Sequence, residues 1–106
     1  MNIDEIKLLC KDDTIEVTQH ILLRLQQRKI TYKEIKEAIL NGEIIEDYPE
    51  DYPEDFPYPS CLILGITIKN RVIHIVVGIG ENKLWLITAY KPDSNLWDSD
   101  FKKRKG

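Results

Sequence analysis

Apolar residues return at helical spacing from the start of the chain. Ile3, Ile6, Leu9 and Cys10 share one side of residues 2–11, which predicts a short packing helix. Thr18 is placed to cap a second helix over about Gln19–Lys29, whose apolar stripe is Ile21, Leu22 and Leu25. Thr31-Tyr32-Lys33-Glu34 is a capping-box pattern, with Thr at the N-cap and Glu at N3. It opens a third helix that carries Ile35, Ala38 and Ile39 and stops at Gly42. Beyond Gly42 the period becomes extended. Strands are predicted at Glu43–Asp47, Cys61–Lys69, Val72–Gly80 and Leu84–Tyr90, and the short junctions Asn70-Arg71 and Glu81-Asn82-Lys83 suit hairpins. Helices that precede strands, rather than alternating with them, give an α+β fold: N-terminal helices on a mainly antiparallel four-stranded sheet.

Between the first and second strands, residues 48–59 hold a tandem Tyr-Pro-Glu-Asp repeat and two further aromatic-proline pairs. Proline removes ladder donors and excludes helix, so an exposed acidic loop is expected there, with little part in stability. Six acidic residues (Glu46, Asp47, Glu50, Asp51, Glu54, Asp55) crowd this region without a basic one. The whole chain carries −3, but without those six the balance is +3, so an anionic partner remains open. The end of the chain is basic: Lys102, Lys103, Arg104 and Lys105 make residues 101–106 a cationic tail, read as a solvated end or a holder of phosphate or of the acidic loop.

With 106 residues, 42% of them hydrophobic, the chain suits one domain over residues 1–106. Its longest uncharged apolar stretch, Ile73 to Gly80, is too short to cross a bilayer, and its acidic N-terminus does not resemble a secretory signal, so a soluble cytoplasmic protein is expected. Cys10 and Cys61 lack CxxC spacing and read as reduced thiols in or near the core. Phosphate-loop, dinucleotide, zincin and serine-hydrolase motifs are absent, which leaves no support for a cofactor or a metal site.

What remains for chemistry lies in two places. At about 100° per residue, His20, Arg24 and Arg28 fall within about 80° of each other on the second helix, beside its apolar stripe. They form either a solvated basic edge or an anion site of two guanidinium forks and an imidazole. His74 shares a strand face with Val72 and Val76, and alternation in the next strand places Leu84, Leu86, Thr88 and Tyr90 together. A packed histidine is one reading; a polar patch of His74, Thr88 and Tyr90 is the other. Lys91 follows directly.

Thr18-Gln19-His20 with Arg24 and Arg28, Lys29-Ile30-Thr31, Asn41-Gly42-Glu43-Ile44-Ile45-Glu46, Tyr58-Pro59-Ser60, His74-Ile75-Val76-Val77, Ile87-Thr88-Ala89-Tyr90 and Pro92-Asp93 with Trp97 resemble, in order and spacing, the bacterial and archaeal family called "domain of unknown function 4258". The resemblance runs from about Thr18 to Trp97. It implies a layout similar to RelE/MqsR- and BrnT-like ribonuclease toxins, and a small antitoxin-like protein as partner. The expectation is a toxin-like, metal-independent endoribonuclease acting on RNA. His20, His74, Arg24 and Tyr90 are its catalytic candidates, while Arg28, Thr88 and Lys91 hold substrate. His20 and Arg24 are then expected to face the same cleft as His74 and Tyr90. RNA supplies its own nucleophile, the 2′-OH, so imidazoles for proton transfer and guanidinium groups for phosphorane charge suffice. The alternative is a non-catalytic RNA- or protein-binding module with the same basic face.

Overall fold

A computed structural model describes residues 1–12, 15–48 and 58–106. Three helices, α1 (Ile3–Lys11), α2 (Gln19–Gln27) and α3 (Tyr32–Leu40), pack on a five-stranded sheet: β1 (Ile15–Glu16), β2 (Glu43–Tyr48), β3 (Ser60–Ile66), β4 (Val72–Gly80) and β5 (Lys83–Tyr90). The fold is α+β as expected, with the strand order β1-β5-β4-β3-β2. The four expected strands form an antiparallel meander. The fifth, β1, adds a short parallel pairing of Ile15 and Glu16 with Leu84 and Trp85.

The caps behave as their residues require. Thr18 accepts from the Ile21 N–H at 3.2 Å, and Thr31 and Glu34 complete a reciprocal capping box. Glu81 and Asn82 both take positive φ between the paired Gly80 and Lys83, the geometry of a two-residue hairpin that keeps the sheet twist. β3 ends at Ile66 instead of Lys69. Thr67 hydrogen-bonds with Arg71 and Asn70 adopts positive φ, so the chain turns where alternation alone would continue the strand.

The sheet has two covered faces. Ile73, Ile75, Val77, Cys61, Ile63 and Leu84 meet α1, α2 and α3 in the main core, which also holds Cys10. Both cysteines are free, and burial pushes the Cys61 thiol up to about 12. α3 reaches the sheet closely because β3 carries Gly65 there; a Cβ at that position would run into the Ala38 backbone. On the opposite face a smaller cluster of Leu62, Val76, Ile45 and Ile87 is roofed by Trp97 and Phe101.

That roof is the end of the chain. Trp97 bridges Arg104 as an antiparallel pair, Asp98 N–H donates to the Lys103 carbonyl at 2.8 Å, and Lys105 N–H donates to the Leu96 carbonyl at 3.0 Å. Residues 96–105 thus form a strap across the sheet, and the tail is docked through Trp97, Phe101 and Arg104, where a solvated end was the plainer expectation. The repeat-bearing loop falls, except for Tyr48, Tyr58 and Pro59, outside the described residues.

Candidate functional site

Two β-bulges decide which side chains face the strap. In β5 the register slips between Val76 and Val77 of its neighbour, so that Leu86 pairs with Val77 and Thr88 with Val76 while Ile87 is the extra residue. Leu84, Leu86 and Ala89 therefore enter the main core, whereas Thr88 and Tyr90 pair with the strap-face residues Val76 and His74. The expected grouping of Leu84, Leu86, Thr88 and Tyr90 on one side is corrected: alternation holds only up to the bulge. A second slip, between Ile44 and Glu46 in β2, leaves Ile44 in the main core and places Glu46 opposite Leu62 on the strap face.

His74 is completely buried there. Its Nε2 lies 2.8 Å from the Phe101 carbonyl, which only accepts, so Nε2 carries the proton and donates; Nδ1 faces Tyr90 Oη at a long 3.4 Å. The Trp97 ring stands edge-on to the imidazole at 4.4 Å between centroids. Burial holds the His74 pKa below its usual value, against the opposing pull of the Phe101 carbonyl and Glu46. The ring is a neutral anchor for the strap.

Beside it lies a group that spacing alone does not single out. Arg104 donates to both Glu46 carboxylate oxygens, at 2.9 and 3.1 Å, and lies 4.7 Å from the Trp97 ring centroid; Tyr48 also donates to Glu46. The guanidinium holds the Glu46 carboxyl below the usual carboxylate range. Lys102 pairs with Glu43 at 2.9 Å, so the cationic tail finds its acidic partners on β2. In the sequence Glu46 is one acid in a run and Arg104 one cation in a tail; a bulge and a chain reversal bring them together, and neither leaves a mark in spacing.

His20 and Arg24 lie on the helix side. Both are exposed, and Arg24 Nε donates to His20 Nε2 at 3.1 Å, so the imidazole nitrogen facing Arg24 is the unprotonated one. Arg28, at the C-cap of α2, reaches around the β5 edge: its Nη1 donates to the Ala89 carbonyl at 2.7 Å and to Thr88 Oγ1 at 3.1 Å. β1 covers β5 only at Leu84 and Trp85, so Arg28 satisfies an edge carbonyl that β1 does not reach. Lys91, just past β5, is exposed.

The expected residues are thus joined in pairs, His20 with Arg24, Arg28 with Thr88, and His74 with Tyr90. One open cleft shared by all of them is not what the structure presents, because His74 points away from the helices and lies under the strap. Arg28 and Thr88 form the link between the helix edge and the strap face. Among the described residues no group of three or more His, Cys, Asp or Glu side chains is arranged to hold a metal, and no helix is long and apolar enough to cross a membrane.

Residues 17–91, about seven-tenths of the chain, match the family described as Domain of unknown function (DUF4258). The chain belongs to that family. The match takes in α2, α3, all of the antiparallel meander and Lys91, and it stops before the strap. No curated protein and no solved structure matches the chain.

Proposed function

We propose that this member of the DUF4258 family binds RNA across the α2 edge and the end of β5 and cleaves it without a metal, as the toxin of a toxin–antitoxin pair. The observation that carries the reading is the exposed His20–Arg24 pair, aligned on one helix with Arg28, which is itself clamped to Thr88 two residues before Tyr90. Arg28 lies eight positions beyond His20, which makes a basic stripe about 12 Å long. That length suits successive phosphates of a single strand, with Lys91 and Tyr90 at its end for a further phosphate and a stacked base.

In this reading the incoming phosphate draws Arg24 off His20, and the freed lone pair on His20 Nε2 accepts the proton of the 2′-OH. The 2′-oxygen–phosphorus bond forms as the 5′-oxygen–phosphorus bond breaks, the leaving oxygen takes a proton from water, and Arg24 steadies the charge on the phosphorane. The products are a 2′,3′-cyclic phosphate and a 5′-hydroxyl. Buried His74 acts as a positioning residue for Tyr90. RNA incubated with the protein in EDTA should be cut with cyclic-phosphate ends, and His20→Ala should slow this about 10²–10⁴-fold while binding persists. Equal cleavage by His20→Ala would overturn the catalytic assignment.

The burial of His74 favours a second reading, a non-catalytic RNA- or protein-binding module, since only one of the two imidazoles is open to a ligand. Binding without turnover would decide for it. Under the first reading an acidic or shape-complementary antitoxin covers the basic edge. Co-purification with the product of a neighbouring gene tests that, and free expression without growth inhibition counts against it.

A further inference from the structure

A second cationic surface lies around the corner from the α2 stripe, at the end of the sheet where α2 stops, α3 starts and the β3–β4 hairpin turns. It is a groove of about 420 Å³ whose cations come from three separate elements: Lys29 in the α2–α3 turn, Lys33 on α3, and Lys69 and Arg71 from the hairpin. Two carboxylates also line it, and both are committed to the protein. Glu34 accepts from Arg71 Nη1 at 2.6 Å and from the Thr31 N–H, and Glu37 accepts from the Ile68 N–H at 3.2 Å. Arg71 is committed too, since its Nη2 donates to the Lys29 carbonyl at 3.2 Å and ties the hairpin to the turn. The three lysines are exposed, and among the described residues none has a carboxylate partner.

The geometry points to a phosphodiester-binding groove: we infer that Lys29, Lys33 and Lys69 hold the backbone of a single-stranded nucleic acid that continues from the Arg28 end of the α2 stripe. The charge pattern selects this ligand. Ammonium groups on flexible stems, spread over three elements, suit a string of phosphates better than a single small anion, which would be met by one fork of fixed donors. The continuity is covalent on one side, Arg28 to Lys29, and hydrogen-bonded on the other, Lys29 to Arg71. The inference rests on the RNA-binding reading of the stripe, and it assigns the groove to affinity and length preference, not to the bond-breaking step.

Binding of a labelled single-stranded oligouridylate to the full chain, titrated over a range of salt concentrations, tests it. The triple variant Lys29→Gln, Lys33→Gln, Lys69→Gln removes three phosphate contacts, so the slope of log affinity against log salt should fall by about 2, with binding about 100-fold weaker near 0.1 M salt. Lys→Arg at the same three positions should keep both affinity and slope. A Gln variant with wild-type slope would overturn the groove assignment while leaving the α2 stripe intact, a loss confined to Arg24→Ala and Arg28→Ala would do the same, and wild-type protein that binds no oligouridylate would overturn both. Poly-glutamate bound in place of the oligonucleotide would make the groove an acidic-protein surface and refute the nucleic-acid assignment.

Discussion

His74 shows how much one buried imidazole can govern. Its pKa is depressed in the fold, chiefly by burial, so between the folded value and the unfolded value near 6.5 the unfolded chain binds more protons than the native one. Stability is therefore full above about pH 6.5 and is lost as pH falls towards the folded pKa. Thermal unfolding followed from pH 8 to pH 5 should show this loss, and His74→Gln should flatten the profile in that window. Glu46, depressed mainly by its bond to Arg104, adds a second loss of the same sign at lower pH, below the ordinary carboxylate range. A different residue sets the helix edge: Arg28→Ala leaves the Ala89 carbonyl and Thr88 without their charged donor and should cost about 1.5–3 kcal/mol in a denaturant titration. Lys at that position carries its charge on a shorter stem as a freely rotating ammonium, without the fixed planar N–H directions by which Nη1 serves both acceptors, and should restore only part.

Among the elements, those with local chemistry are legible in the amino-acid order itself. Thr31 and Glu34 write α3's start in four letters, Thr18 writes that of α2, and the β-branched run Val72–Gly80 is long enough to fix β4. What that order hides is non-local. β1 is two residues long and exists only because Leu84 and Trp85 lie beside it. The bulges at Ile45 and Ile87 each set an isoleucine directly after another aliphatic residue, Ile44 or Leu86, so nothing in the pattern marks the residue at which the faces exchange. The site is half visible for the same reason: His20, Arg24 and Arg28 share a helix, whereas Glu46 and Arg104 meet through a reversal of the chain. α3 and β3 also make the sharpest packing test. Gly65→Val should cost about 1–3 kcal/mol or more through collision with Ala38, measured by denaturant unfolding, whereas Gly106→Val should change nothing because the space there is open.

At the scale of the molecule, the strap lies beyond the family match, yet it completes the second face of the sheet. Trp97 is 3% exposed, and its replacement by Ala should cost about 3–5 kcal/mol, read from the denaturation midpoint. A chain cut after Lys91 keeps every strand but uncovers Leu62, His74 and Val76, and should bind a hydrophobic dye that the full chain does not. Ranked by position in the sequence, the strands of the sheet read first, last, fourth, third, second. A ribosome makes the chain in one direction only, so α2 emerges long before β5, the strand it packs against, and β1 waits for the same strand to gain a partner. Nascent chains halted before residue 83 should therefore stay sensitive to protease throughout, and protection should arrive abruptly once β5 and the strap have cleared the exit. For a protein read as a toxin, the order of synthesis would itself delay activity: no copy made only as far as β4 could present the α2 edge clamped to Thr88, and an antitoxin would first meet that edge after β5.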